Sequence, residues 1–179
     1  ITGFSWLAGG LDSSSLQFIA GTEAGKLYKC GADAVGSSFS YKPLSGPIQA
    51  VAASPAHRNI FLTASADGSI CLFNALSQRP SVTLVPGEGP SATPLSCDWS
   101  PIRPCVFAAS CADGKIYFFD LSSSQGAARP IVELRAGGAN SAAATAIAFN
   151  GTLRRNAATG HADGVVRVWL LADVLVQTK

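Results

Sequence analysis

Phe107-Ala-Ala-Ser-Cys-Ala-Asp-Gly114-Lys-Ile-Tyr-Phe-Phe119 decides the fold of this chain, because it recurs. Related stretches are Phe18-Ile-Ala-Gly-Thr-Glu-Ala-Gly25-Lys-Leu-Tyr-Lys-Cys30, Phe61-Leu-Thr-Ala-Ser-Ala-Asp-Gly68-Ser-Ile-Cys-Leu-Phe73 and Ala157-Ala-Thr-Gly-His-Ala-Asp-Gly164-Val-Val-Arg-Val-Trp169. Each reads as a β-hairpin. A strand of small and apolar residues runs into Asp-Gly, a pair that tolerates the positive φ of a tight turn. Ile70 and Leu72, or Val166 and Val168, then alternate with their neighbours at the period of a pleated strand. The returning strand ends on Phe73, Phe119 or Trp169, and on Cys30 in the first copy. The aligned glycines Gly25, Gly68, Gly114 and Gly164 lie 43, 46 and 50 residues apart.

A second motif precedes the hairpins. Val51-Ala-Ala-Ser54-Pro55, Cys97-Asp-Trp-Ser100-Pro101 and Ala146-Ile-Ala-Phe149-Asn150 read as inner strands ending in turns, and Phe4-Ser-Trp6 begins the first unit likewise. Outer strands are predicted at Phe39–Pro43, Val82–Val85 and Ile131–Leu134. Four strands from inner to outer, repeated at about 40–45 residues, make the blade of a β-propeller of the WD type. The prediction is an all-β fold of about four blades, residues 1–43, 44–87, 88–136 and 137–179, with no boundary splitting them into separate domains. WD rings usually hold about seven blades, so the reading is an arc of a seven- or eight-bladed ring continuing upstream of Ile1. A self-contained four-bladed ring is the alternative. The last blade has no clear outer strand, since Leu171–Lys179 is ambiguous between strand and helix. Residues 136–144, rich in Ala and Gly, read as a surface loop between the third and fourth blades.

Composition narrows the function. Of 179 residues 47% are hydrophobic and 13% charged, too apolar for a disordered chain. The longest apolar run, Val165–Val176, is broken by Arg167 and Asp173 and cannot span a bilayer. A net charge of +2 argues against nucleic acid as a partner. There is no leader pattern and no methionine, so the expectation is a piece of a longer, non-secreted protein. The five cysteines, Cys30, Cys71, Cys97, Cys105 and Cys111, form no CxxC pair and read as reduced core residues. The sequon Asn150-Gly151-Thr152 then reads as chance.

No catalytic, cofactor or metal site is expected. The two histidines, His57 and His161, have no patterned carboxylate partner, and His161 reads as a turn residue beside Asp163-Gly164. Gly21-Thr-Glu-Ala-Gly25-Lys26 is one residue short of a phosphate-binding loop and opens a strand instead of a helix. Asp67, Asp113 and Asp163 recur once per blade, too far apart to share an ion, and read as turn formers.

The Asp-Gly-x-[Ile/Val]-x-x-[Phe/Trp] pattern resembles the WD-repeat family. More specifically, Trp99-Ser-Pro101-Ile-Arg-Pro104-Cys-Val-Phe107-Ala-Ala109 with Asp113-Gly-Lys-Ile-Tyr-Phe-Phe-Asp-Leu121 resembles the C-terminal blades of dynein intermediate chains, as does Gly21–Cys30. Ser54-Pro-Ala-His57-Arg-Asn59-Ile-Phe61-Leu-Thr-Ala-Ser-Ala-Asp-Gly68 is most similar to the intermediate chain of the intraflagellar-transport (second cytoplasmic) dynein. Axonemal and first-cytoplasmic dynein intermediate chains are the neighbouring alternatives. The resemblance implies a non-catalytic motor subunit of cytoplasm and cilium that grips the heavy-chain tail. It also implies contact with other intermediate and light chains through regions outside these residues. The Gly-His pair usual between WD blades is missing, which puts the hydrogen-bond network it supports in doubt. A WD scaffold reading peptides or adaptors in another complex is the alternative from a different class.

One charge pattern suggests where a partner would dock. In a propeller the inner-to-second and third-to-outer loops share one rim. On blades two to four that rim carries Arg58, Arg79, Arg103, Arg129, Arg154 and Arg155, with no acid expected before Asp173. The opposite rim carries Asp67, Glu88, Asp113 and Asp163 against Arg135. An arginine rim suits an acidic protein partner, steering it and fixing its register. Solvated surface charge is the bland alternative.

Overall fold

A computed structural model describes residues 1–7, 16–32, 36–87, 89–122, 129–135, 141–153 and 155–176. Four antiparallel sheets follow one another along the chain. The first holds β1 (Gly3–Trp6), β2 (Gln17–Gly21), β3 (Leu27–Gly31) and β4 (Ser37–Ser40) in chain order. The second holds β5 (Ile48–Ala53), β6 (Ile60–Ser65), β7 (Ile70–Asn74) and β8 (Pro80–Leu84). The third holds β9 (Pro94–Trp99), β10 (Val106–Cys111), β11 (Lys115–Asp120) and β12 (Val132–Arg135). The fourth has three strands, β13 (Ala144–Phe149), β14 (Asn156–His161) and β15 (Val166–Leu170). After β15 the chain leaves the sheet and forms a single helical turn, α1 (Asp173–Val176). The fold is all-β, an arc of about four propeller blades that does not close into a ring.

The repeat sets the register. Phe61 pairs with Phe73, Phe107 with Phe119, Ala157 with Trp169 and Phe18 with Cys30. The two Phe pairs stack with centroids 5.2 and 4.9 Å apart and planes within 10° of parallel. At the hairpin turns Gly25, Gly68, Gly114 and Gly164 all take φ between 73° and 91°, where a β-carbon would be strained. Asp67, Asp113 and Asp163 each accept the backbone N–H of the residue two further on, at 2.9, 3.0 and 3.1 Å. The outer strands begin at Ser37, Pro80 and Val132, a residue or two from the positions read in the sequence, because pairing with β3, β7 and β11 fixes them.

Blades pack face to face. Ile70 and Leu72 of the second blade meet Trp99, Phe107 and Phe119 of the third, while Ile116 and Phe118 of the third meet Ile147 and Ala157 of the fourth. Each joint also carries a hydrogen bond between inner strands. The Ala53 N–H donates to Ser5 Oγ at 3.0 Å, the Trp99 indole N–H to the Ala52 carbonyl at 2.9 Å, and the Phe149 N–H to Asp98 Oδ2 at 2.8 Å.

The two end faces are uncovered. On the first blade Phe4, Trp6 and Phe18 form an aromatic cluster, with Trp6 50% exposed where its counterpart Trp99 is 4% exposed. On the last, Val166 and Val168 are each 70% exposed, whereas their counterparts Ile116 and Phe118 are buried.

His161 departs from the turn assigned to it from sequence. It is the last residue of β14, 5% exposed. One ring nitrogen lies 3.0 Å from Thr159 Oγ1, and that hydroxyl accepts the Trp169 indole N–H at 2.9 Å. The fourth blade thus has a side-chain network without a Gly-His pair between blades.

Candidate functional site

The loops joining inner to second strands are built alike. Ser54 Oγ accepts the N–H groups of Ala56 and His57, Ser100 Oγ those of Ile102 and Arg103, and Asn150 Oδ1 those of Thr152 and Leu153. This side chain two or three residues upstream closes a tight turn, so Asn150 of the sequon is a turn residue. In each of blades two to four the loop is tied to the chain leaving the third strand. Ala75, Leu121 and Leu171 donate N–H to the carbonyls of Asn59, Cys105 and Arg155. These paired loops make one rim, and they carry Arg58, Arg103 and Arg155.

The arginines then part company. Arg103 is mostly buried and its guanidinium donates to Asp120 Oδ2 at 2.5 Å and to the Val174 carbonyl at 2.6 Å. Arg155 pairs with Asp173 at the start of α1. Both therefore hold the chain's own C-terminal turn against the rim, with Leu171 and Leu175 buried beneath it. Asp120, at the end of β11, is an acid on a rim read from sequence as having none before Asp173. It is the last residue of its strand and not a loop residue, and it faces Arg103. Arg58, Arg79 and Arg129 are exposed and form no ion pair among the described residues. Arg154 and Glu88 lie outside the described residues.

Electrostatics follow from burial. Burial pushes the Asp120 carboxyl up, but the Ser122 hydroxyl and N–H and the Arg103 guanidinium outweigh it and hold the group below its ordinary value. Burial also pushes the Asp98 carboxyl up, and there the N–H groups of Phe149 and Trp99 do not restore it. Burial raises the thiols of Cys71, Cys97 and Cys111, with Cys97 pushed up to about 12, far from thiolate chemistry at neutral pH. His57 is exposed on the second blade's rim loop. Among the described residues no helix is long and apolar enough to cross a membrane.

The model of the WD domain, G-beta repeat, matches residues 38–74, which hold β5, β6 and β7. Cytoplasmic dynein 2 intermediate chain 2 of Mus musculus is 32% identical across 91% of this chain, and that of Homo sapiens is 32% identical across 87%. This is a WD-repeat propeller arc, and it resembles the dynein intermediate chains. The arc spans 32% and 31% of the lengths of those two relatives. Dynein intermediate chain 2, ciliary, of Heliocidaris crassispina is 32% identical across 59% of the arc and 15% of its own length. The similarity to the mouse protein runs through nearly the whole WD arc, so it takes in the rim as well as the hairpins.

Sequence reading missed three elements of this WD arc: the Asp120 partner of Arg103, the buried network around His161, and the carboxylate joint at Asp98. A signal existed for the first. Asp120 occupies the blade position of Asn74 and Leu170 and is the single charged residue among them.

Proposed function

We propose that this chain is part of a dynein intermediate chain, a non-catalytic subunit whose propeller holds the tail of a dynein heavy chain. The class read here is the dynein of retrograde intraflagellar transport, acting in cytoplasm and cilium and supporting cilium assembly. The observation that carries this reading is the 32% identity to a cytoplasmic dynein 2 intermediate chain across 91% of the chain. The exposed arginines Arg58, Arg79 and Arg129 support a rim contact with acidic surface, since a guanidinium fork pairs two carboxylate oxygens and is weakly hydrated. Arg103 and Arg155 contribute indirectly, by fixing the shape of the rim between the third and fourth blades. Light chains and a second intermediate chain would bind through regions outside these residues.

Single exposed pairs are worth about 0–1 kcal/mol, so charge must be reversed at several positions to read the effect. The test is recovery of heavy chain with the full-length protein carrying Arg58→Glu, Arg79→Glu and Arg129→Glu. Loss of heavy chain is expected, with recovery kept in a control reversing Asp67 and Asp163. Purification of the wild type with no dynein heavy chain among its partners would reject the assignment. Equal recovery from the triple variant would remove this rim from it.

A further inference from the structure

We infer that the joint between the first and second blades carries a binding site for an acidic protein segment. It is built by Lys42 and Arg79 around a cleft and extended by Arg58 and Leu76. The inference shares Arg58 and Arg79 with the rim contact proposed above, but it rests on the chemistry of this surface and names no dynein component.

Three pieces of chain are knitted together here. The Lys42 N–H donates to the Gln78 carbonyl at 2.8 Å, fastening the segment after β4 to the loop between β7 and β8. The Ala75 N–H donates to the Asn59 carbonyl at 2.7 Å, fastening that loop to the one between β5 and β6. Tyr41 OH donates to the Ala75 carbonyl at 3.1 Å from beneath, its ring packed against Phe61 and Phe73. The backbone of the surface is therefore tied down before any partner arrives, which lowers the ordering cost of binding.

Ser40, Tyr41, Lys42, Gln78 and Arg79 line a cleft of about 310 Å³. Lys42 and Arg79 enter it from different blades, and neither is paired with a carboxylate among the described residues. Arg58 is exposed on the loop bonded to Ala75, and Leu76, next to Ala75, is 68% exposed. The surface thus offers three cations outside any ion pair among the described residues, with polar donors around a cleft and one apolar side chain beside it. Asp67 lines the adjoining cleft with Lys42 and Arg79. Elsewhere Arg103 is answered by Asp120 and Arg155 by Asp173, while Arg129 of the third blade is exposed and has no ion pair among the described residues. The charge left over at this joint selects carboxylates, and Leu76 selects a segment with an apolar residue beside them. A nucleic acid strand fits less well, because stacking needs an exposed ring and Tyr41 is 4% exposed.

The test is fluorescence anisotropy with the full chain and a fluorescein-labelled peptide of repeated Glu-Glu-Leu units. Saturable binding that weakens with salt is expected. Lys42→Glu with Arg79→Glu should weaken it about tenfold or more through like-charge repulsion, and the milder Lys42→Gln with Arg79→Gln should weaken it in the same direction. Leu76→Ser should weaken it about threefold, and Arg135→Glu on the opposite rim should leave it unchanged. Melting curves equal to wild type show that the exposed variants are folded. Equal affinity for a Gln-Gln-Leu peptide, or tighter binding of a single-stranded RNA oligomer, would overturn the inference. So would unchanged peptide binding in the folded charge-reversed variant. Heavy-chain recovery is read in parallel: peptide binding lost with heavy chain retained separates this site from the dynein reading.

Discussion

Asp120 and Asp98 are two mostly buried carboxylates whose surroundings give them opposite responses to pH. Asp120 is held below its ordinary value, so the stability it contributes is present above the unfolded carboxyl value, about 4, and is lost as pH falls through the folded one. Removing its cation by Arg103→Ala leaves a carboxylate 6% exposed without its guanidinium. The expected cost is about 2–3 kcal/mol at neutral pH, below the usual 3–5 for a broken buried pair because the Ser122 bonds remain. Denaturant titrations should show that cost shrinking below about pH 4. Asp98 is raised, so the folded state binds its proton more readily and stability falls as pH rises from the unfolded value to the folded one. Asp98→Asn keeps an oxygen for the Phe149 N–H and removes the buried charge. It should equal or exceed wild type at pH 7, and the difference should fade in acid. A clear loss of stability at neutral pH would show the charge itself to be needed at that joint.

Among the elements, the joints between blades are as informative as the blades. The joint of second and third blades rests on Trp99, 4% exposed, whose indole N–H satisfies the Ala52 carbonyl. Trp99→Phe should cost about 1–2 kcal/mol by leaving that carbonyl without its donor. Trp99→Ala should cost about 3–5 by adding a cavity. Trp169 occupies a different place, half-buried in a sheet of three strands, so Trp169→Ala should cost less than Trp99→Ala. Thermal melts of the intact propeller rank the two. The hairpins were legible in the sequence because period two and Asp-Gly are local properties. The joints were less so: Ser5, Ala52 and Asp98 hold one blade position with three side chains, and only packing shows that each accepts from the next blade.

For the whole molecule, the consequence of an open arc is two apolar faces. Phe4 and Trp6 stand half-exposed at one end, and Val166, Val168 and Leu170 at 70–79% exposure at the other. Because the two faces are the two sides of one repeating joint, residues 1–179 taken alone should associate head to tail, a pairing that does not close on itself. Sedimentation should show mass rising with concentration. Val166→Lys with Val168→Glu should shift it toward monomer without lowering secondary structure content, since both side chains already face solvent. A concentration-independent monomer from the wild-type residues would show that these faces do not pair.

The sequence by itself determined the repeat, the antiparallel hairpins and their Asp-Gly turns. These depend on residues within about a dozen positions of one another, where backbone φ and strand alternation act directly. It also put Arg58, Arg103 and Arg155 in matching loops between inner and second strands, because loop order within a blade is fixed once the strands are known. Tertiary structure decided which of those arginines are available. Arg103 and Arg58 belong to matching loops, yet one is spent on Asp120 and Val174 and the other faces solvent. The difference lies in what a strand end and a distant C-terminal turn bring within reach of a guanidinium. Charge counted along the chain says nothing of that, since an ion pair is set by distance in space and by the water its partners exclude.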